Sequence, residues 1–97
     1  MQPIHLHDVV VAVPQHVAAD LDGEAVILGL ERGVYYGLNR SGTRIWQMLV
    51  QGPITVQAVR DMLVSEYDLE QERCERDLTA LLAELRSEGL LEVLPSP

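Results

Sequence analysis

Ala25-Val-Ile-Leu-Gly-Leu-Glu-Arg-Gly-Val-Tyr-Tyr-Gly-Leu-Asn39 is the stretch on which the fold turns. Ala25 to Leu30 and Val34 to Leu38 are rich in β-branched and aromatic residues, which suit a pleated, half-buried surface. Glu31, Arg32 and Gly33 between them form a short connection, and Gly33 can adopt the left-handed conformation that closes such a hairpin. Pairing Leu30 with Val34 sets Leu28 opposite Tyr36 and Val26 opposite Leu38. By the two-residue period these six side chains share one apolar face. Ala25, Ile27, Tyr35 and Gly37 fall on the other, which is only partly apolar.

Outward toward the N-terminus, Val9 to Val13 is almost wholly β-branched and reads as a further strand, stopped by Pro14. Gln15 to Gly23 is polar and loop-like, with a short extended piece at Val17 to Ala19. Toward the C-terminus, Asn39 to Gly42 is a turn in which Ser41 can cap a helix carrying Ile45, Trp46 and Leu49. Gly52-Pro53 stops that helix. Thr55 caps a second, with Val56, Val59 and Leu63 on its apolar line. Asp68 and Gln71 have the spacing of a capping box. After them Cys74, Leu78, Leu81, Leu82 and Leu85 recur at threes and fours, an amphipathic third helix that Gly89 can end in a left-handed cap. Leu90 to Leu94 adds a short extended segment. The expected architecture is α+β: a three-stranded antiparallel sheet followed by three helices, the sheet burying one face against them.

Ninety-seven residues, 47% of them apolar, suit one domain. The expected limits are a flexible N-terminal segment over 1–8, the domain over 9–94 and a tail over 95–97. Fifteen acidic residues against seven basic ones, all arginine, give a formal charge of −8. That charge opposes binding to nucleic acid, whose affinity depends on basic side chains releasing counterions, and opposes docking on anionic lipid. Cys74, the single cysteine, excludes an internal disulfide. Met1 to Asp8 lacks the basic and apolar regions of a signal peptide, and no apolar run approaches the ~18 residues of a membrane span. These features make the cytoplasm the expected location.

Catalytic signatures are absent: there is no phosphate-cradling glycine loop, zincin motif or paired-cysteine motif. His5-x-His7 sets two imidazoles on one side of an extended segment, but lacks a further ligand beyond His16, so no metal site is expected. Cys74 has the spacing of a small buried hydrophobe, and Glu72 and Glu75 oppose a reactive thiolate there. Glu66 and Asp68 lie at a helix exit without the apolar enclosure that acid–base catalysis uses. A DNA-reading helix-turn-helix is disfavoured because Arg73, Arg76 and Arg86 on the last helix are outnumbered by Glu72, Glu75, Asp77, Glu84 and Glu88. The expectation is a protein with no catalytic residue, no metal and no cofactor.

A small sheet has edges, and Val34 to Leu38 carries no Lys, Pro or other edge protection. It is a template for an extended peptide, which would take affinity from main-chain hydrogen bonds and selectivity from alternating side chains. Tyr35 and Tyr36 point to opposite faces. The residues leave open whether this strand is an edge that binds a peptide or a central strand of an unspecified interaction domain.

The run Ala25 to Asn39, followed by Ser41-Gly-Thr-Arg-Ile-Trp46, resembles the PqqD-like family of RiPP recognition elements. The resemblance extends through Val56, Asp77-Leu78-x-x-Leu81-Leu82-x-x-Leu85 and Gly89-Leu90-Leu91, covering Val9 to about Val93. It implies a winged-helix-like fold that binds the leader of a precursor peptide as an extra strand, over a groove shared with the third helix. Carried onto this chain, the edge is Val34, Tyr35, Tyr36 and Gly37, and the groove wall is the helix around Arg73, Cys74, Asp77, Leu78 and Leu81. Within the family the chain looks most like the stand-alone leader-binding proteins of lasso-peptide biosynthesis. The rival is a chaperone for the precursor of pyrroloquinoline quinone. The implied partners are the precursor leader, a separate leader peptidase and a downstream maturation enzyme, with no nucleic acid and no membrane. A strand-swapped homodimer is the oligomer that an open edge permits.

Overall fold

The computed structural model describes residues 3–95. Met1, Gln2, Ser96 and Pro97, the ends of the expected N-terminal segment and C-terminal tail, lie outside them. The chain runs β1 (Val9–Ala12), β2 (His16–Leu21), β3 (Glu24–Gly29), β4 (Val34–Gly37), α1 (Arg40–Val50), β5 (Ile54–Thr55), α2 (Val56–Tyr67), α3 (Gln71–Ser87) and β6 (Leu91–Leu94). An antiparallel sheet ordered β2-β3-β4 precedes the three helices, the α+β, winged-helix-like arrangement expected. A second antiparallel sheet, ordered β5-β1-β6, gathers the remaining strands.

The first strand of the hairpin sheet differs from the expected one. His16–Leu21, read as loop-like with only a short extended piece at Val17 to Ala19, pairs along all of β3 from His16↔Gly29 to Leu21↔Glu24, while Val9–Ala12 joins the second sheet. The cause lies in Asp22-Gly23, whose φ angles of 61° and 87° are both left-handed, as a two-residue hairpin turn requires. Asp20 Oδ1 also accepts a hydrogen bond from Gly23 N at 2.7 Å. Because β2 is an exposed edge, it has no apolar alternation to announce it.

The β3–β4 register is shifted by one residue from expectation: Gly29 pairs with Val34, Leu28 with Tyr35, Ile27 with Tyr36 and Val26 with Gly37. Leu30 belongs to the turn, where Gly33 N donates to Gly29 O at 2.7 Å and Gly33 has φ of 68°. A one-residue slip exchanges the faces of one strand relative to the other. Ala25 and Ile27 therefore face the core with Tyr36, whereas Val26 and Leu28 share the outer face with Tyr35.

The helix caps also refine the reading. Asn39, not Ser41, caps α1: its Oδ1 accepts from Gly42 N at 2.9 Å, and the Ser41 hydroxyl donates to it. Thr55 caps α2 through Ala58 N as expected. Asp68 does not cap α3; it ends α2 in the left-handed conformation, and Glu70 precedes α3 without a side-chain cap bond. Gly89, at φ of 76°, closes α3 while Leu90 N donates to Leu85 O.

Cys74, Leu78, Leu82 and Leu85 of α3 form its buried stripe, packed with Ile45 and Leu49 of α1 and Val59 and Leu63 of α2. Ile4 joins this core from the N-terminal segment, and Leu6 O and Asp8 O accept from Gln57 N and Val56 N at the start of α2. No described helix is long and apolar enough to cross a membrane.

Candidate functional site

Strand β4 has one neighbour, β3, so its other edge is unpaired among the described residues. The hydrogen bond from Leu38 N to Ala25 O, 2.8 Å, fixes which groups face that edge. In an antiparallel ladder hydrogen-bonded and non-hydrogen-bonded pairs alternate. With Leu38 and Ala25 bonded, Tyr36 points its main-chain groups at Ile27, and Tyr35 and Gly37 point theirs outward. Those outward N–H and C=O groups are the ones a further strand can engage.

Beside the edge lies a cavity of about 380 Å3 between β4 and α3. On the helix side Cys74, Asp77, Leu78 and Leu81 line it, the i, i+3, i+4, i+7 face that one side of a helix presents. Tyr36 and Gly37 supply the strand side. The sequence therefore placed six of its nine candidate residues on one cavity. Arg73 lies in an adjoining recess of about 530 Å3, which shares Cys74 and Asp77 with the first. Val34 is half-buried at the start of β4, and Tyr35 is 72% exposed on the opposite face of the sheet.

Two contacts pin the hairpin to the C-terminal half of α3. The Tyr36 hydroxyl donates to Glu84 Oε2, and Arg32 Nη1 donates to Ser87 O at 2.9 Å. Glu84 acts mainly through the phenol's hydrogen bond, with burial adding to it, and the Tyr36 pKa is pushed up to about 12. The phenol thus stays a donor through the neutral range. Among the described residues the N-terminal half of α3 carries no such side-chain tie to β4, and of the cavity's lining there Gly37 and Asp77 are exposed.

Sequence reasoning missed the cavity's far end, which Leu38, Asn39, Gly42 and Ile45 close at the start of α1, with Leu63 and Leu69 beyond. Leu38 ends the strand read as a peptide template, Ile45 reads from its spacing as a helix packing residue, and Leu69 sits in an aperiodic connection. The adjacency of Gly42 to the strand was the available signal: a Cβ there would meet Leu38 Cδ2 at 3.1 Å. Thr43, also missed, ties α1 to the hairpin by accepting from Ala25 N at 2.8 Å.

Cys74 is buried, and that burial pushes its thiol pKa up, with the Asp77 charge acting in the same direction. Low thiolate content suits a packing residue. The His5 and His7 rings stack in parallel with centroids 5.7 Å apart. Among the described residues no group of three or more His, Cys, Asp or Glu is placed to hold a metal ion. Glu66 is engaged by Arg44 at 2.9 Å, a hydrogen bond that holds its carboxyl below the usual range.

Comparison with known proteins gives a consistent picture. Residues 24–91 match the family described as coenzyme PQQ synthesis protein D (PqqD). The solved structure of TbiB1 in complex with the TbiA(beta) leader peptide is 34% identical, with a TM-score of 0.79, covering 89% of this chain and 99% of that one. A lasso peptide synthetase B1 complexed with the leader peptide is 32% identical at a TM-score of 0.72, covering 89% and 98%. The solution structure of the PqqD truncation of Methylobacterium extorquens PqqCD, a stand-alone RiPP recognition element, shares the fold at 22% identity and a TM-score of 0.76, covering 92% and 94%. No curated protein matches the chain.

Proposed function

This chain belongs to the PqqD family of RiPP recognition elements, and on that premise we propose that it is a non-catalytic binder of a precursor-peptide leader. The leader adds as a strand to the free edge of β4 and drops alternate side chains into the groove against α3. The observation that carries this reading is the coincidence of an unpaired edge with an apolar cavity directly beside it. An added strand takes affinity from main-chain bonds at Tyr35 and Gly37. It takes selectivity from the side chains that enter the groove.

A lasso-peptide leader is the ligand class we favour, because two relatives above 30% identity are in complex with a leader peptide, one of them a lasso peptide synthetase B1. We further propose that the bound leader is presented to a separate leader peptidase and a later maturation enzyme. Its contribution is tethering. A held leader raises the effective concentration of the attached core at the enzyme, without this protein touching the reacting bond. The cytoplasm, where precursors are made, is the proposed location.

The test is an amide NMR titration of the protein with the leader peptide encoded beside its gene. Saturable shifts concentrated in Val34 to Leu38 and Arg73 to Leu82 are expected. Absence of shifts with peptide in large excess would sink the claim that this chain recognises the leader by itself.

A further inference from the structure

Two carboxylates stand on the groove-facing side of α3, and they differ in one respect. Glu84 already accepts the Tyr36 hydroxyl. Asp77, two turns earlier, makes no hydrogen bond or ion pair among the described residues and is exposed. It sits at the junction of the apolar cavity with the adjoining recess, lining both. The recess also contains Asp68, Glu70 and Arg73, so three carboxylates face one guanidinium there. The apolar cavity beside it holds no other charged side chain.

We propose that Asp77 is a specificity-determining residue, selecting leaders in which the apolar side chain filling the groove is followed or preceded at a fixed offset by Lys or Arg. This rests on the leader-binding reading and narrows it to a ligand chemistry. The groove's apolar walls reward an apolar anchor but cannot by themselves distinguish one apolar segment from another, since each methylene contributes little selectivity. A charge at the mouth discriminates by sign: it attracts a basic neighbour and repels an acidic one. The whole chain's formal charge of −8 works in the same direction at longer range, speeding encounter with a cationic segment.

The choice of Asp77 over its neighbours follows from geometry. Asp68 and Glu70 lie in the recess but not in the apolar cavity, so they set the field without touching the anchor's immediate neighbour. Arg73 lies in the same recess one helical turn before Asp77, so a cationic side chain entering the recess meets like charge there. A basic side chain next to the anchor therefore meets Asp77 first.

The test uses a displayed library of random dodecapeptides, selected separately against the wild-type chain, Asp77→Lys and a Leu81→Arg variant that blocks the groove. Equal thermal melts establish that the variants are folded. The wild type is expected to enrich an apolar anchor with Lys or Arg at one offset, and Asp77→Lys to enrich the same anchor with Asp or Glu there. For one selected peptide, Asp77→Asn is expected to weaken binding by about fivefold, the scale of a solvent-exposed ion pair. Its charge-neutral analogue should be unaffected. If both proteins enrich the same anchor with no preference in charge, the role of Asp77 is overturned and groove binding stands. If the wild type enriches nothing beyond the Leu81→Arg variant, groove binding falls and the proposal falls with it.

Discussion

Tyr36 does two things at once. Its side chain lines the groove while its hydroxyl reaches Glu84 on α3, so one residue both shapes the proposed binding surface and ties its two walls together. That bond has a pH signature. The folded-state pKa is raised above the ordinary 10 to about 12, which means the folded state holds the phenolic proton more tightly than the unfolded chain does. The stabilisation is complete below the unfolded pKa and is lost as pH rises through about 12. Urea unfolding of the wild type and Tyr36→Phe, followed by far-UV circular dichroism at neutral pH and through the alkaline range, separates this effect from general alkaline weakening. The wild type should be the more stable protein at neutral pH, and its advantage should shrink as pH climbs. An advantage unchanged up to pH 12 would mean that the hydroxyl contributes nothing through Glu84.

At the scale of the element, strand β4 has two kinds of main-chain amide. Tyr36 donates into the ladder with β3, whereas Gly37 points its N–H outward. Proline lacks that N–H and is tolerated in a sheet only on a free edge. Gly37→Pro is therefore expected to fold, since a Cβ at this position meets nothing within 4 Å. It should nevertheless lose most of the leader affinity measured by calorimetry, because it deletes one bond to an added strand. Tyr36→Pro should instead lower the melting temperature, since it removes a ladder bond. Leader binding by Gly37→Pro at wild-type strength would exclude strand addition at this edge. The same strand shows how far a single sequence can be read. Its existence, its hairpin with β3 and the α3 stripe at Cys74, Leu78, Leu82 and Leu85 follow from period and turn residues alone. Its register does not, because a turn of three residues and one of four both accommodate Gly33, and only packing of Ala25 and Ile27 against the helices decides between them. Strand β2, on the far side of β3, was legible only as the short extended piece at Val17 to Ala19. An edge strand exposed on nearly every residue has no apolar pattern to mark its full length, which the Asp22-Gly23 turn sets.

For the molecule as a whole, the hairpin sheet borders the groove proposed to bind, while the sheet built from β5, β1 and β6 lies apart from it. The second sheet joins both ends of the described chain: β1 lies between β5 and β6, and the segment before it reaches back over the start of α2. That division was only half visible in the sequence. Both strands could be anticipated, β1 from its β-branched run and Leu91–Leu94 from its composition, but their pairing could not, because pairing across most of the chain length leaves no local mark. Ile4 is the side chain that ties the N-terminal segment into the core, being 6% exposed, and it lines neither the groove cavity nor the recess beside it. Removing most of a buried aliphatic side chain costs about 2–5 kcal/mol, the spread reflecting how well the site can collapse. Ile4→Ala should accordingly lower stability in urea by an amount in that range. Under conditions where both proteins are fully folded, its affinity for the leader should match that of the wild type, because nothing between Ile4 and β4 is required to move. A variant that melts lower and binds equally well would show that stability and recognition reside in separate parts of this fold. Weakened binding by the folded variant would instead show that the N-terminal segment sets the position of α3, through its contacts with the start of α2.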